Sequence, residues 1–463
     1  MYVSVSDKTT AMPSHPSAAW LKRADQLTGP AYKRLAQALE AAIAEGELQA
    51  GDQIPAQREV ARRVGVDFTT VTRAYALARE RGLIEGTTGR GTFVRGQTGE
   101  DEAGLVDLSM NLPPQPQGLN LGALLRETIG AVLTRTDPAV LMAYHPGAGS
   151  LAQRTAAASW LAPSLGEVSP ERMLMSSGAQ TALSALLGLL VRPGETILVE
   201  ALTYPGLLTA AAQRGLRVVA CPMDEEGLEP HALARLCAEH RPRAICCTPT
   251  FQNPTTATMG LARRAAIVAA ARAAGVPIIE DDAYGLLPGA PLPALASLWP
   301  EGVFHIATTA KTLSPGLRIA FVVAPADRIP ETAQALHAIA QMPAPLMAAV
   351  VTAWIREGDA LRLLDGVRRE AVERRRLASE ILPTAIGGAE SLHVWLDLPV
   401  GWSRGRLLDA ARARGLSLVD AEAFRAPDVA RDGVRLSLGA PAKAATLARA
   451  LREVAGLLAA GPG

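Results

Sequence analysis

Cysteine is scarce in this chain and poorly placed for chemistry. Only Cys221, Cys237, Cys246 and Cys247 occur in 463 residues, and no two form a Cys-x-x-Cys pair. A chain this long can bury enough surface without disulfide staples. Reduced, packed thiols are therefore expected, with no metal centre built from them. Excess charge is missing as well. The 46 Lys and Arg against 45 Asp and Glu leave a formal charge of +1, so there is no global signal for a polyanion. Long apolar runs are absent too. The most apolar helical stretch, residues 181–191, is about half of the ~20 residues that a membrane span needs. Asp7 and Lys8 interrupt any apolar run at the start, so no secretory signal is expected. These absences point to a soluble, cytoplasmic protein with no membrane attachment.

What is present begins with length, which predicts two to four domains, and with 49% hydrophobic residues, enough for large cores. Charge is uneven along the chain. Between Gln57 and Arg95, eight arginines (58, 62, 63, 73, 79, 81, 90 and 95) stand against Glu59, Asp67, Glu80 and Glu85. That local excess suits a phosphate backbone, and a solvated pair of helices accounts for it equally well.

Residues 1–16 are polar, with Pro13 and Pro16, and are expected to be loose. Leu35, Ala38, Leu39, Ala42 and Ile43 predict an amphipathic helix over 31–45. A second helix follows over 56–64. Gly65-Val66-Asp67 makes a tight turn with Asp67 as N-cap, and a third helix spans 69–81 with Val71, Tyr75 and Ala78 on one face. Segments 83–85 and 92–94 flank a turn over 86–91 and read as a hairpin. Residues 96–104 have linker composition. The chain thus divides into a first domain at 17–95, a linker at 96–105 that is short enough to constrain its ends, and a second domain at 106–463.

In the second domain, apolar runs of strand length recur at 173–175, 196–199, 218–221, 244–247, 276–279, 304–307 and 319–323, with helices such as 180–191 and 261–274 between them. This alternation predicts an α/β fold with a mainly parallel sheet covered on both faces. The large part runs over about 150–325. Beyond it, helices and two strands at 392–398 and 434–438 predict a smaller α+β part over about 326–463, joined by the segment that follows the linker.

Two constellations carry chemistry. A short helix, a turn at Gly65 and a helix opening on Thr69-Thr70 have the helix-turn-helix layout. The third helix would enter a major groove, and the hairpin would act as a wing with Arg90 and Gly91 near the backbone or minor groove. A generic three-helix bundle is the alternative on pattern alone. The second constellation lies at predicted strand ends. Lys311 follows a strand and precedes Ser314-Pro315-Gly316. Asp281 follows the 276–279 run, where open α/β sheets bind ligands, with Tyr284 three residues on. Asn253 follows the 244–247 strand. Ser177, Gly178, Ala179 and Gln180 open a helix whose N–H groups can hold a phosphate. An amine, a carboxylate, two donors and a phosphate cradle are what pyridoxal phosphate requires: Lys311 to bond it, Asp281 for the pyridine nitrogen, Tyr284 and Asn253 for the phenolic oxygen. Singly, each has a plainer reading, as surface lysine, N-cap, core tyrosine or turn asparagine.

Two resemblances add to this. Residues 53–94 resemble the winged helix of the GntR family, through Pro55 and Arg58 of its Pro-x-x-Arg opening, the Gly-Val turn, Thr-Val-x-Arg-Ala-Tyr, and the Gly-x-Gly-Thr-Phe-Val wing. That resemblance implies that Arg58, Thr69, Thr70, Thr72 and Arg73 approach double-stranded DNA, with Gly91 in the wing. Phe68 stands where the family often has a polar or basic reader. Residues 106–439 resemble the fold-type I aminotransferases. Residues 309–318 (TAKTLSPGLR) look like their lysine loop, 280–284 (EDDAY) their strand-end motif, and 249–255 (PTFQNPT) their asparagine loop. The resemblance implies a Schiff base at Lys311, phosphate binding by Thr308 and Arg318, an aromatic stack at Tyr204, and a clamp for a substrate α-carboxylate at Arg435. It also implies that Tyr144 reaches the phosphate of a neighbouring subunit in a dimer. Ala310 replaces the serine that often precedes the lysine, and Thr256 replaces the usual glycine after Asn-Pro-Thr.

Winged helix, linker and aminotransferase-like domain, in that order, resemble the MocR-type regulators. The resemblance implies a head-to-tail homodimer and a transcription regulator that senses an amino acid or amine through an aldimine at Lys311. An active aminotransferase that carries a DNA-binding domain, and a sensor of pyridoxal phosphate itself, are the other two readings. Arg435 speaks against the last, because the cofactor brings no α-carboxylate.

Overall fold

The computed structural model describes residues 16–45, 47–49, 51–87, 91–95, 105–145, 148–399 and 401–461. The loose start at 1–15, the linker at 96–104 and Arg90 lie outside the described residues. The chain forms two compact units, residues 1–101 with 120–127, and residues 102–119 with 128–463.

In the first unit, helices Ala31–Ala44, Gln57–Val64 and Phe68–Glu80 pack with a 3-10 helix, Pro16–Gln26. Trp20, Leu35, Leu39, Val60, Val71 and Tyr75 fill its core. The expected hairpin is present as Ile84–Thr87 paired with Gly91–Val94, and a third strand, Gln53–Ile54, pairs with Gly91–Val94 on its other side. Two residues are too few to show a period, so the sequence carried no sign of that strand. The turn between the second and third helices is built as its residues dictate. Gly65 takes a φ of +70°, and the Asp67 carboxylate accepts from the backbone N–H of Thr69 at 2.9 Å and of Thr70 at 3.2 Å.

The second unit is built on a seven-stranded sheet in the order Met173–Ser176, Ala320–Val323, Val303–Thr308, Ile278–Asp281, Ala244–Cys247, Thr196–Glu200, Arg217–Cys221. Ala320–Val323 runs antiparallel to both its neighbours and the other pairings are parallel, so the sheet is mainly parallel as expected. Helix Ala179–Leu190 buries Ala182, Leu183, Leu186 and Leu187 in one core with Val199, Cys246, Ile279 and Phe304. One expected strand is displaced by two residues, to Ile278–Asp281. Pro277 has no N–H to give to a ladder, so pairing starts after it. A shift of two preserves the face on which each side chain falls, and it makes Asp281 the last residue of the strand.

A smaller antiparallel sheet pairs His393–Asp397 with Gly433–Ser437, and Gly433–Ser437 with Val419–Asp420. Helices Asp359–Ile381, Arg404–Ala413 and Ala444–Ala460 cover it, with Leu108, Leu396, Leu407, Leu436 and Leu451 in the core. The segment after the linker belongs with this part: Val106–Asp107 pairs in parallel with Leu416–Ser417. Among the described residues, no helix is long and apolar enough to cross a membrane, and no group of three His, Cys, Asp or Glu side chains could hold a metal ion. All four cysteines are free and buried.

Candidate functional site

Lys311 sits one turn beyond strand Val303–Thr308, in a loop tied down at both ends. Thr309 donates from its N–H (3.1 Å) and its hydroxyl (2.9 Å) to the Ile319 carbonyl, and Thr308 Oγ1 accepts from the Ala310 N–H at 3.1 Å. The serine hydroxyl that Ala310 lacks is thus not needed to hold the loop. The half-buried Lys311 ammonium donates to the carbonyl of Asn111. Burial, followed by the charge of Arg435, lowers its pKa to about 8 against the opposing pull of Asp281.

Asp281 ends its strand with Oδ1 shielded from solvent and without a hydrogen-bond partner. Burial, then the neighbouring Asp282, pushes its carboxyl up to about 6, against the pull of Lys311. On the opposite sheet face, Glu280 accepts from the N–H groups of Leu295 (2.7 Å) and Ala296 (3.0 Å) and faces His305 Nδ1 at 2.9 Å. Although burial disfavours the charged imidazole, Glu280 beside it, then Asp282 and Asp281, holds the His305 pKa above its ordinary value.

The asparagine loop hangs from Gln252. Its amide donates to Glu200 Oε2 (3.0 Å) and the Leu202 carbonyl (2.6 Å), and its oxygen accepts from Thr255 N (3.0 Å) and Oγ1 (2.7 Å). Thr256 takes a φ of +64°, a region that favours the glycine usual there. Asn253 Oδ1 accepts from Arg435 Nη1 at 2.8 Å. Arg435 is buried, donates also to the Ser109 carbonyl, and lies with its guanidinium 5.0 Å from the centre of the Phe424 ring. Its Nε has no partner, and no carboxylate pairs with it among the described residues. Tyr284 is buried with its hydroxyl oxygen accepting from Asn111 Nδ2 at 2.9 Å, and burial raises its pKa.

Gly178 caps helix Ala179–Leu190 with a φ of +97° and no side chain on the first N–H groups. A Cβ there would come within 2.6 Å of Arg318 Nη2, so the glycine lets that guanidinium lie against the helix start. Gln180 donates to the Gly206 carbonyl at 2.9 Å, and its Oε1 has no partner. Gly206 is also what lets the Tyr204 ring fold back, since any Cβ would collide with it. Tyr144 is 82% exposed on its own unit. Asn111, Ser109 and His393 escaped the sequence reading. They carry no motif, and only the fold brings them to Lys311, Arg435 and Tyr284.

In the first unit, Arg58, Thr69, Thr72 and Arg73 are exposed and Thr70 is half-buried. The hydroxyls of Thr69 and Thr70 both donate to the Asp67 carboxylate, and Thr72 donates to Gln57 Oε1 at 2.9 Å. Arg73 lies 4.3 Å over the Tyr32 ring. Phe68 is 47% exposed at the start of the helix. Gly91 has a φ of +115° and faces Gln53, whose amide nitrogen would be 2.5 Å from any Cβ.

Residues 103–452 match the model of the aminotransferase class I and II family, and residues 31–94 match that of the gntR family of bacterial regulatory proteins. The chain is 29% identical to the uncharacterized HTH-type transcriptional regulator YdeF of Bacillus subtilis, over 91% of this chain and 93% of that one. It is 27% identical to the probable rhizopine catabolism regulatory protein MocR of Rhizobium meliloti, over 75% and 76%. Among solved structures it is similar to LysN, an alpha-aminoadipate aminotransferase of Thermus thermophilus complexed with N-(5'-phosphopyridoxyl)-L-leucine. The TM-score is 0.71 and the identity 27%, covering 84% of this chain and 98% of that one. The residues present fit pyridoxal phosphate: the Asp281 Oδ1 lacks a partner, and the helix start at Gly178 carries no side-chain cap and lies against the Arg318 guanidinium. The chain belongs to the aminotransferase class I and II family and, through its first unit, to the gntR family of bacterial regulatory proteins, the combination of a MocR-type transcription regulator.

Proposed function

We propose that this regulator binds DNA through residues 17–95 and receives an amino acid or amine effector in the pyridoxal phosphate pocket of residues 106–463, the two joined by 96–105. The observation that carries the reading is Arg435: a buried guanidinium with no carboxylate partner among the described residues, beside a lysine of lowered pKa. A buried charge is normally paired, and a carboxylate on the effector would supply the pair bidentately. Pyridoxal phosphate supplies an aldehyde that condenses with amines and a ring that draws electrons. Lys311 holds it, Asp281 faces its pyridine nitrogen, and Tyr284 and Asn253 donate to its phenolic oxygen. The N–H groups of Gly178, Ala179 and Gln180, with Thr308 and Arg318, take its phosphate, and Tyr204 stacks on its ring.

In the first unit, the Asp67 cap orients Thr69 and Thr70 so that Arg58, Thr69, Thr70, Thr72 and Arg73 meet DNA, with Gly91 in the wing. The exposed apolar residues Leu133, Val140, Met142, Leu151 and Ile339 support a homodimer; in the head-to-tail arrangement that the MocR resemblance implies, Tyr144 reaches the partner's phosphate. The effector switches DNA binding because it binds one domain arrangement better than the other. Such a regulator works in the cytoplasm.

The complete Lys311, Asp281, Tyr284, Asn253 and Arg435 set also favours a second reading, an active aminotransferase with a DNA-binding domain. One experiment separates them: operator binding and steady-state turnover are measured with the same panel of amino acids. A shift in operator binding by one amino acid with negligible turnover supports the regulator. Multiple turnovers with a keto-acid acceptor and unchanged DNA binding overturn it.

A further inference from the structure

His393 opens strand His393–Asp397 and is fully buried. Its Nε2 lies 3.3 Å from the Gln252 carbonyl oxygen. A carbonyl only accepts, so Nε2 carries the hydrogen. The ring keeps no second proton. Burial, then Arg435, with Lys311 adding to it, lowers its pKa to about 3, while the Gln252 carbonyl pulls the other way. Tyr284, also titratable, stands beside it with its ring centre 5.7 Å away. Nδ1 is therefore a bare acceptor, and Asn111 Nδ2 lies 3.0 Å from it.

That contact decides which way the Asn111 amide points. The NH2 group must face His393, and its second hydrogen goes to the Tyr284 hydroxyl oxygen at 2.9 Å. A hydroxyl oxygen that accepts there keeps its own hydrogen for another acceptor. The Asn111 Oδ1 has no partner of its own, so it does not resist a flip of the amide. If the amide turned over, Oδ1 would face Tyr284 and take that hydrogen.

We infer that His393 is a positioning residue, which fixes the direction of the Asn111 amide and through it keeps the Tyr284 hydroxyl hydrogen free for the phenolic oxygen of the cofactor. This rests on the pyridoxal phosphate reading above. The chain of bonds runs from Gln252 through His393 and Asn111 to Tyr284, and it joins three parts of the second unit that are far apart in sequence.

The test is the pH midpoint of the visible absorbance of the full-length protein loaded with pyridoxal phosphate, without effector. A donor on the phenolic oxygen favours the deprotonated chromophore, so losing the donor moves the midpoint up. His393→Phe is expected to raise it by roughly one unit, the worth of one charge-assisted hydrogen bond. Tyr284→Phe should raise it as well, and the double variant should go no further than Tyr284→Phe alone. His393→Gln can donate to Gln252 and accept from Asn111, and should keep the original midpoint. Should His393→Phe fail to fold, His393→Leu removes the acceptor without the ring and carries the same expectation. A midpoint unmoved by loss of the imidazole, where Tyr284→Phe moves it, overturns the relay and leaves the cofactor reading standing. No visible band at all in the unsubstituted protein overturns both.

Discussion

Arg435 donates to the side-chain oxygen of Asn253 at 2.8 Å and, on its other arm, to the Ser109 carbonyl. An arginine has no acceptor, so this contact turns the Asn253 amide nitrogen away from it, which leaves that nitrogen free to donate into the site. One buried cation thus orients a donor, while no carboxylate among the described residues pairs with it.

Arg435→Ala is expected to cost carboxylate-bearing effectors about 2–5 kcal/mol of affinity, because it removes one partner of a buried charge pair. An amine of similar shape without the carboxylate should lose little. Absorbance titration of the loaded protein with both ligands checks this, and an equal loss for the two would remove Arg435 from the effector's binding site.

Lys311→Ala is expected to abolish the visible band of the loaded protein. In the unsubstituted protein, the rate of cofactor attachment should rise with pH and level off above about 8, where the lysine is neutral. Stopped-flow absorbance across pH 6 to 10 measures it. A rate still climbing steeply at pH 10 would mean that the amine is not depressed.

Asp281 is expected to act oppositely with and without cofactor. Its folded pKa, raised to about 6, stands above the ordinary value of 3.8, so the protonated group favours the fold at low pH. That stability is fully present below 3.8 and is lost as pH rises through 6. Asp281→Asn is therefore expected to raise the melting temperature of the cofactor-free protein at pH 7 to 8 while weakening pyridoxal phosphate binding. Thermal melts with and without cofactor check both halves, and a lowered melting temperature of the free variant would contradict the first.

Thr256→Gly is expected to stabilise the second unit by up to about 1 kcal/mol. A left-handed backbone costs a non-glycine residue roughly 1–2 kcal/mol, and the flexibility of glycine in the unfolded chain offsets part of the gain. The denaturant midpoint reads this out, and a marked destabilisation would show that the Thr256 side chain is needed there.

Arg73→Ala is expected to weaken operator binding and lower the slope of log affinity against log salt by about one, if its guanidinium leaves Tyr32 for a phosphate. The visible band should not change. Asp67 acts through the helix instead. Its carboxyl, lowered to about 2 chiefly by the hydroxyls of Thr69 and Thr70, stabilises the fold above pH 3.8, and that contribution is lost as pH falls through 2. Asp67→Asn, which can still cap, should bind DNA better than Asp67→Ala. Equal binding by the two would separate the cap from DNA reading.

Much of the fold was legible in the chain because its signals are local. The helices of the first unit follow from apolar spacing, the turn at Gly65, and a capping aspartate. The strands of the large sheet follow from apolar runs bounded by helices. Lys311, Asp281 and Asn253 stood out because each follows such a run. The two-residue pairings of Gln53–Ile54 and Val106–Asp107 were illegible, since a strand that short has no period and is made by its partner.

The sequence by itself determined the two domain types and singled out the residues proposed to hold the cofactor, because helix period, strand runs, caps and motifs act over a few neighbouring residues. Tertiary structure alone decided that Arg435 meets Asn253, that Ser109 and Asn111 lie against Arg435 and Lys311, and that His393 stands behind Tyr284. Those contacts join residues 170 to 330 positions apart in most cases, and no local preference encodes the closure of so long a loop.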